Sequence, residues 1–362
     1  MTMLRRHFIA LGAAAGAAPV AAAATEEKPT AKTAPERCRI EVGHFLWRRP
    51  AGTFPYLVRY GVTGVAFPYG GHPSKGHWKA EELRRTKASV EAEGVALRGV
   101  YMQLPLIVLQ LGAERDRAVR NICENIRVAG EVGVPVFQYD LHHRAWGART
   151  GSTPGRGGVK YSTWELGKDV RRRRGRAGLG DISHQEIWKR ITAFLAEVVP
   201  AAEQAKVRLA CHPPDPPIPE EGLFGTRQVL NSVADLKRFV GIHESPYHGL
   251  NFCQGTISEM LRDPGREIYD VIRWFGERKK IFNVHFRNIR GGRDDFQEVF
   301  PDEGAVSMAR AMQVYAECGY DGLVMPDHVP GHSDDAGGRQ AVAFCFGYMQ
   351  ALIQACASRG VG

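Results

Sequence analysis

Cysteine is scarce and odd in number, seven in 362 residues. At least one thiol must stay unpaired within a monomer, which excludes a fold held by a complete disulfide framework. No period of about 20–50 residues recurs, so a solenoid or propeller is excluded as well. Beyond the amino terminus no apolar run reads as long enough to cross a bilayer, which takes about 20 residues. A Gly-rich turn is missing after the first strand, where Trp47-Arg48-Arg49-Pro50 stands, and this argues against a dinucleotide-binding open sheet. Aromatic residues are missing from the most basic stretch, Arg171-Arg172-Arg173-Arg174-Gly175-Arg176. It therefore lacks the stacking platforms of a nucleic-acid reader, and no nucleic-acid partner is expected. A solvated loop that draws anions toward a nearby site fits that composition better.

What is present is an ordinary globular make-up, 44% apolar and 24% charged, with 48 Lys and Arg against 39 Asp and Glu and a net charge of +9. The amino terminus stands apart. Arg5-Arg6-His7-Phe8-Ile9 precedes an Ala/Gly-rich run, and Ala22-Ala23-Ala24 forms a small-residue cleavage site. This is the pattern of a twin-arginine signal peptide, so export, to the periplasm, is expected, with no lasting membrane association once the leader is removed. The division that follows is a signal peptide over 1–24, a polar, disordered leader over 25–38 and one folded domain over 39–362.

Within that domain, apolar strand-like runs alternate with amphipathic segments. The strands read as Arg39–Leu46, Val62–Phe67, Val95–Tyr101, Val134–Tyr139, Val207–His212, Gly249–Cys253, Ile281–Phe286 and Gly322–Met325. Helices are expected at Phe54–Tyr60, Lys79–Glu93, Glu114–Val132, from Ser183 toward Gln204, Ile268–Arg278, Val306–Cys318 and Arg339–Ala357, with Ser183 and Glu186 as a capping box. Eight alternations predict a single α/β fold, a (β/α)8 TIM barrel, with a long Arg/Gly-rich loop over Arg144–Asp181 after strand four.

The barrel carries a chemical expectation. His212 ends strand five, Cys253 ends strand six, His285 lies near the end of strand seven and Asp327 ends strand eight, so neighbouring strands offer imidazole, thiolate, imidazole and carboxylate at one mouth. That set can hold a divalent transition ion, with Zn²⁺, Fe²⁺ and Mn²⁺ all open. His328 is the expected acid/base group and Tyr139 a second proton carrier. Arg149 and Arg227 are candidate carboxylate clamps, because a planar guanidinium binds bidentately. Asp215, in the proline-clamped His212–Pro217 loop, Arg287 and Glu298 are further candidates for binding the substrate, and Glu298 is also a candidate for proton transfer. Asp327 and His328 are adjacent, so both can serve one site only if the chain leaves strand geometry there.

These runs resemble the mannonate dehydratase family, within the xylose-isomerase-like TIM-barrel group. The likeness rests on Cys211-His212-Pro213-Pro214-Asp215-Pro216-Pro217, Leu223-Phe224-Gly225, Asn251-Phe252-Cys253-Gln254-Gly255, His285-Phe286-Arg287-Asn288, Phe296-Gln297-Glu298 and Pro326-Asp327-His328. Weaker echoes stand at His77-Trp78 and Trp146–Thr150; Met325 departs from an Arg that many members carry before Pro-Asp-His. The resemblance implies a hydro-lyase of sugar-acid catabolism that turns D-mannonate into 2-dehydro-3-deoxy-D-gluconate and water with Mn²⁺ or Fe²⁺. It implies His212, Cys253, His285 and Asp327 as ligands and His328 as acid/base. A metal-dependent sugar isomerase or epimerase on the same barrel is the alternative enzyme, and an exported, non-catalytic sugar-acid-binding protein the alternative of another class. A homo-oligomer is compatible with the sequence.

Overall fold

Strand and helix alternate as the apolar pattern dictates in the computed structural model, which describes residues 39–358 apart from 105, 142–148, 169–178, 180–181 and 224. The expected signal peptide, leader and Arg-rich run lie outside the described residues. The chain begins β1 (Glu41–Phe45), α1 (Thr53–Arg59), β2 (Gly64–Pro68), α2 (Ala80–Glu91), β3 (Ala96–Gln103), α3 (Ala113–Val132) and β4 (Val136–Asp140). A hairpin follows, β5 (Gly151–Pro154) and β6 (Lys160–Glu165). Then come α4 (His184–Ala205), β7 (Arg208–His212), α5 (Val233–Gly241), β8 (His248–Cys253), α6 (Gln254–Ser258), α7 (Pro264–Glu277) and β9 (Ile281–His285). A second hairpin, β10 (Asn288–Gly292) and β11 (Asp295–Val299), precedes α8 (Met308–Glu317), β12 (Leu323–Met325) and α9 (Arg339–Ser358).

Eight strands close in the order β1-β12-β9-β8-β7-β4-β3-β2, and neighbouring strands run parallel throughout. The helices α5 and α6 arise where no helix was expected, and the rest fall where apolar periodicity places them. Ser183 caps α4, its Oγ accepting from the Glu186 N–H at 3.2 Å. Side-chain alternation divides each strand between two environments. On β4, Gln138 and Asp140 turn to the barrel interior, while Phe137 stacks on Trp78 and Tyr139 meets Phe194 of α4 at 6.2 Å between ring centroids.

The Arg144–Asp181 stretch is not one long loop. Its described part folds as β5 and β6, which join β10 and β11 in a four-stranded antiparallel sheet ordered β10-β11-β6-β5. The charged stretch after His285 likewise forms a hairpin. Trp164, Ile218, Ile289 and Phe296 make a small apolar core of their own beneath this sheet. The last helix needs a correction too: α9 is long and apolar enough to cross a membrane by length and composition, contrary to expectation. Here it is the outer helix that follows β12, sending Cys345, Phe346 and Met349 into the core, with Phe346 edge-on to His44.

Candidate active site and metal centre

At the carboxyl ends of β7, β8, β9 and β12, adjacent around the barrel, the chain gathers His212, Cys253, His285 and Asp327. Their ligand atoms all lie within 4.8 Å of one another. His212, Cys253 and His285 are each the final residue of their strand, and Asp327 stands two residues past the end of β12. A β-bulge between Leu250 and Asn251 shifts the register of β8 on β9, so that Cys253 pairs with His285. Bulges beside active sites commonly re-aim side chains in this way.

The donors are prepared for a cation. His285 Nδ1 is buried, has no hydrogen-bond partner and faces Asp327 Oδ2 at 3.5 Å. Cys253 Sγ lies 3.6 Å from the same carboxylate, and Thr256 Oγ1 donates to that sulfur at 3.1 Å. His212 Nδ1 is bound to the Pro213 carbonyl at 2.6 Å, an outer partner that orients a ligating ring through its other nitrogen. Burial alone pushes the Cys253 thiol up, but the Arg287 charge and the neighbouring His212 and His285 imidazoles bring it down to about 5. A thiolate, two imidazoles and a carboxylate around an unpartnered nitrogen fit a divalent transition metal.

Beside the donors lies a second polar group, with Arg149 and Arg287 at its centre. Arg149 grips Asp215 through both terminal nitrogens, at 2.5 and 3.2 Å, and also reaches Glu298. Arg287, 2% exposed, donates to Glu298 at 2.5 Å, Glu259 at 2.6 Å and Thr256 at 3.0 Å, and lies 3.1 Å from Asp215. Burial opposes ionising Asp215, yet Arg149 and Arg287 hold its carboxyl well below the usual range. Burial opposes Glu298 likewise, and His328 with the two arginines takes it to about 2. Glu259 goes the other way, pushed up by complete burial and by the Asp215 charge. Two guanidiniums thus balance two carboxylates, and the third carboxyl is favoured as the neutral acid. Asp215, Glu298 and His328 also come within 4.8 Å of one another, but the two arginines already occupy that space with positive charge.

His328 ties the two groups together. Its Nδ1 lies against Glu298 and 2.5 Å from Arg287 Nη1, while Nε2 sits 3.9 Å from Asp327 Oδ1. The backbone there has φ 45°, so the chain does leave strand geometry, and Asp327 and His328 reach one site from adjacent positions. The side chain is 41% exposed, its free edge facing a cavity of about 230 Å³. Burial lowers the imidazole pKa, but Asp327 and Glu298 outweigh that and Arg287, so the net shift is upward. Phe45, Trp47, Tyr101, Asp140, His212, His285 and Asp327 line the same cavity.

Two expected site residues are placed elsewhere. Tyr139 points out of the barrel and is packed in the core against Phe194, so it cannot carry a proton at the mouth. Its strand neighbour Asp140 takes that place, a Cα partner of His212 whose carboxylate accepts from the Tyr101 hydroxyl. Arg227 is half-buried beside the Leu223–Thr226 bridge, outside the lining of the cavity. Arg149 is in the site, but its donors grip the protein's own carboxylates. Sequence reasoning missed Glu259, Thr256, Tyr101 and Asp140. Strand parity signals Tyr101 and Asp140, whereas nothing local marks Thr256 or Glu259.

The D-mannonate dehydratase (UxuA) family model matches residues 160–360. A mannonate dehydratase of Enterococcus faecalis is 26% identical over 302 residues, spanning 74% of this chain and 82% of that protein. The crystal structure of mannonate dehydratase from Streptococcus suis serotype 2 superposes with a TM-score of 0.75 at 22% identity, covering 89% of this chain and 96% of that one. A xylose isomerase domain protein from Planctomyces limnophilus shares the barrel at a TM-score of 0.56 and 13% identity, over 88% of this chain and 99% of its own.

Proposed function

Because the chain belongs to the D-mannonate dehydratase (UxuA) family, we propose that it removes water from D-mannonate to give 2-dehydro-3-deoxy-D-gluconate, in the cavity beside His212, Cys253, His285 and Asp327. The observation that carries this reading is the meeting of the four donors with the His328–Glu298–Arg287 contact at one barrel mouth. A divalent ion at those donors, Mn²⁺ or Fe²⁺ by the family's habit and Zn²⁺ by the donor chemistry alone, would offset the negative charge that develops as the C2 proton leaves.

The residues divide the remaining work. His328 holds Nδ1 between an acceptor, Glu298, and a donor, Arg287, so the ring keeps its orientation whether or not Nδ1 carries a proton. Protons then pass at Nε2. The proton taken from C2 and the proton given to the departing C3 hydroxyl both lie within this group's competence near neutral pH. Arg149 and Arg287 keep Glu298 and Asp215 ionised, which sustains the basicity of His328. Tyr101 and Asp140, beside His212, supply polar contacts for the sugar's other hydroxyls.

Protein reconstituted in turn with Mn²⁺, Fe²⁺ and Zn²⁺ and offered a panel of hexonates should form 2-keto-3-deoxy acid from D-mannonate. An isomer formed without loss of water would move the chain to the isomerases, and binding without turnover under every metal would make it a receptor. We propose further that the chain is exported by the twin-arginine route, on the Arg5-Arg6 start and the Ala22–Ala24 site. The full chain should reach the periplasmic fraction of a host with that pathway and stay in the cytoplasm of a host without it. Identical distribution in both hosts would refute the export proposal.

A further inference from the structure

Beneath the four donors the barrel interior holds two asparagines that the reaction above does not use. Asn251 on β8 and Asn283 on β9 are Cα partners just past the bulge, each 2% exposed. Asn283 Nδ2 donates to Asn251 Oδ1 at 2.9 Å, and the Asn251 side-chain amide in turn reaches His285 Nε2 at 3.3 Å. Below, Asn283 opens on a second cavity of about 190 Å³ at the amino-terminal end of the barrel, walled also by Gln138, Arg208 and Phe282. Burying two amides loses their hydration, and only the hydrogen bonds they make offset that loss. An apolar pair would fill the space at less cost, so the hydrogen bonds themselves call for an explanation.

We infer that Asn251 and Asn283 are positioning residues: a two-amide relay that determines which nitrogen of His285 carries the ring proton and so leaves Nδ1 open to a cation. A neutral imidazole has one donor nitrogen and one acceptor nitrogen. Nδ1 is the atom that faces Cys253 and Asp327, and it can offer a lone pair to an ion only when the proton sits on Nε2. Nε2–H then needs an acceptor, which is Asn251 Oδ1 once that amide is turned over. The turned Asn251 presents Nδ2 to Asn283, which must answer with its own Oδ1. Oxygen and nitrogen of an amide occupy nearly the same space, so the relay has two arrangements of one shape. In the first, hydrogen bonds run from Asn283 to Asn251 to Nε2 and keep the proton on Nδ1. In the second they run from Nε2 to Asn251 to Asn283 and leave Nδ1 bare. Only the second suits a metal. The two amides must turn together, because a half-turned pair sets donor against donor or acceptor against acceptor.

The inference rests on the metal reading of the four donors and is independent of which sugar acid reacts. Asn283→Asp can accept from Asn251 but cannot donate, whereas Asn283→Leu can do neither. Dissociation constants for Mn²⁺ alone, read on the full chain from the electron paramagnetic resonance signal of the free ion, separate the two directions. Asn283→Leu is expected to bind Mn²⁺ about 10-fold more weakly, the low end of the usual effect of disturbing an outer partner of a ligating histidine. The loss stays at that end because Asn251 remains in place, without the acceptor that holds its amide turned. Asn283→Asp is expected to stay close to the parent. Equal loss in both variants, or parent-like affinity in Asn283→Leu, overturns the relay. Melting followed by circular dichroism checks the fold, and if Asn283→Leu does not fold, Asn283→Asp decides alone: retained affinity supports the relay and lost affinity overturns it. A parent that binds Mn²⁺ but leaves D-mannonate unchanged sinks the proposed function and leaves the relay standing. A parent that binds neither Mn²⁺ nor Zn²⁺ sinks both.

Discussion

Replacing His328 by asparagine is expected to lower kcat by about 10²- to 10⁴-fold, the usual contribution of a positioned acid/base group. Metal content and binding of the sugar acid should stay near those of the parent. Asparagine is the right replacement because residue 328 sits at φ 45°, a left-handed conformation that Asn tolerates better than most residues. The backbone can then keep Asp327 where it is, and an amide can still contact Glu298 and Arg287. What is lost is a group that gains and gives up a proton near neutral pH. Alanine would confound that loss with strain and a gap beside Glu298. Rapid-quench turnover alongside metal analysis makes the measurement. A variant that keeps its rate would move proton transfer to another wall of the cavity, with the Tyr101 hydroxyl next in line.

The largest effect on stability is expected at Arg287. Its side chain is 1% exposed and touches Asp215, Glu259, Glu298 and Thr256. Arg287→Met keeps much of the stem's volume and removes the charge, leaving Asp215 and Glu298 to share Arg149 while Glu259 loses its nearest donor. Breaking a buried pair from one side typically costs about 3–5 kcal/mol, because the partner stays buried without compensation. Urea denaturation of the two proteins gives the difference. The double variant Arg287→Met with Glu259→Leu should lose less than the two single changes summed, since residues in one network couple. A single change that costs no more than an exposed arginine does would mean that water compensates the carboxylates.

The four metal-competent residues were legible because each interrupts an apolar run at its end, where burial gives no reason for a polar side chain. Period-two alternation says which face a residue takes only once the register is known. Tyr139 and Asp140 lie one step apart, and choosing Tyr139 picked the helix-facing side of β4. The added sheet was hidden for a different reason. Gly151-Ser152-Thr153-Pro154 contains no large apolar residue, and Asn288-Ile289-Arg290-Gly291-Gly292 contains one, so neither shows a strand pattern. Each pairs with its hairpin partner, β5 with β6 and β10 with β11. The sheet is joined by the pairing of β11 with the distant β6, which leaves no local trace. Glu259 was hidden similarly. An acid after a short polar helix looks like a surface residue until Arg287, far along the chain, is seen to close over it.

The two halves of the reaction centre ride on different parts of the chain. The four donors are fixed to barrel strands or the turn after β12, whereas Arg149 leads into β5 and Glu298 belongs to β11, both in the antiparallel appendage. Lengthening or trimming those hairpins would re-aim the partners of His328 and leave the ligand quartet untouched. Ion retention and the protonation of His328 are therefore separately adjustable, while the walls that would meet a sugar acid, Tyr101 and Asp140 among them, stay with the barrel strands.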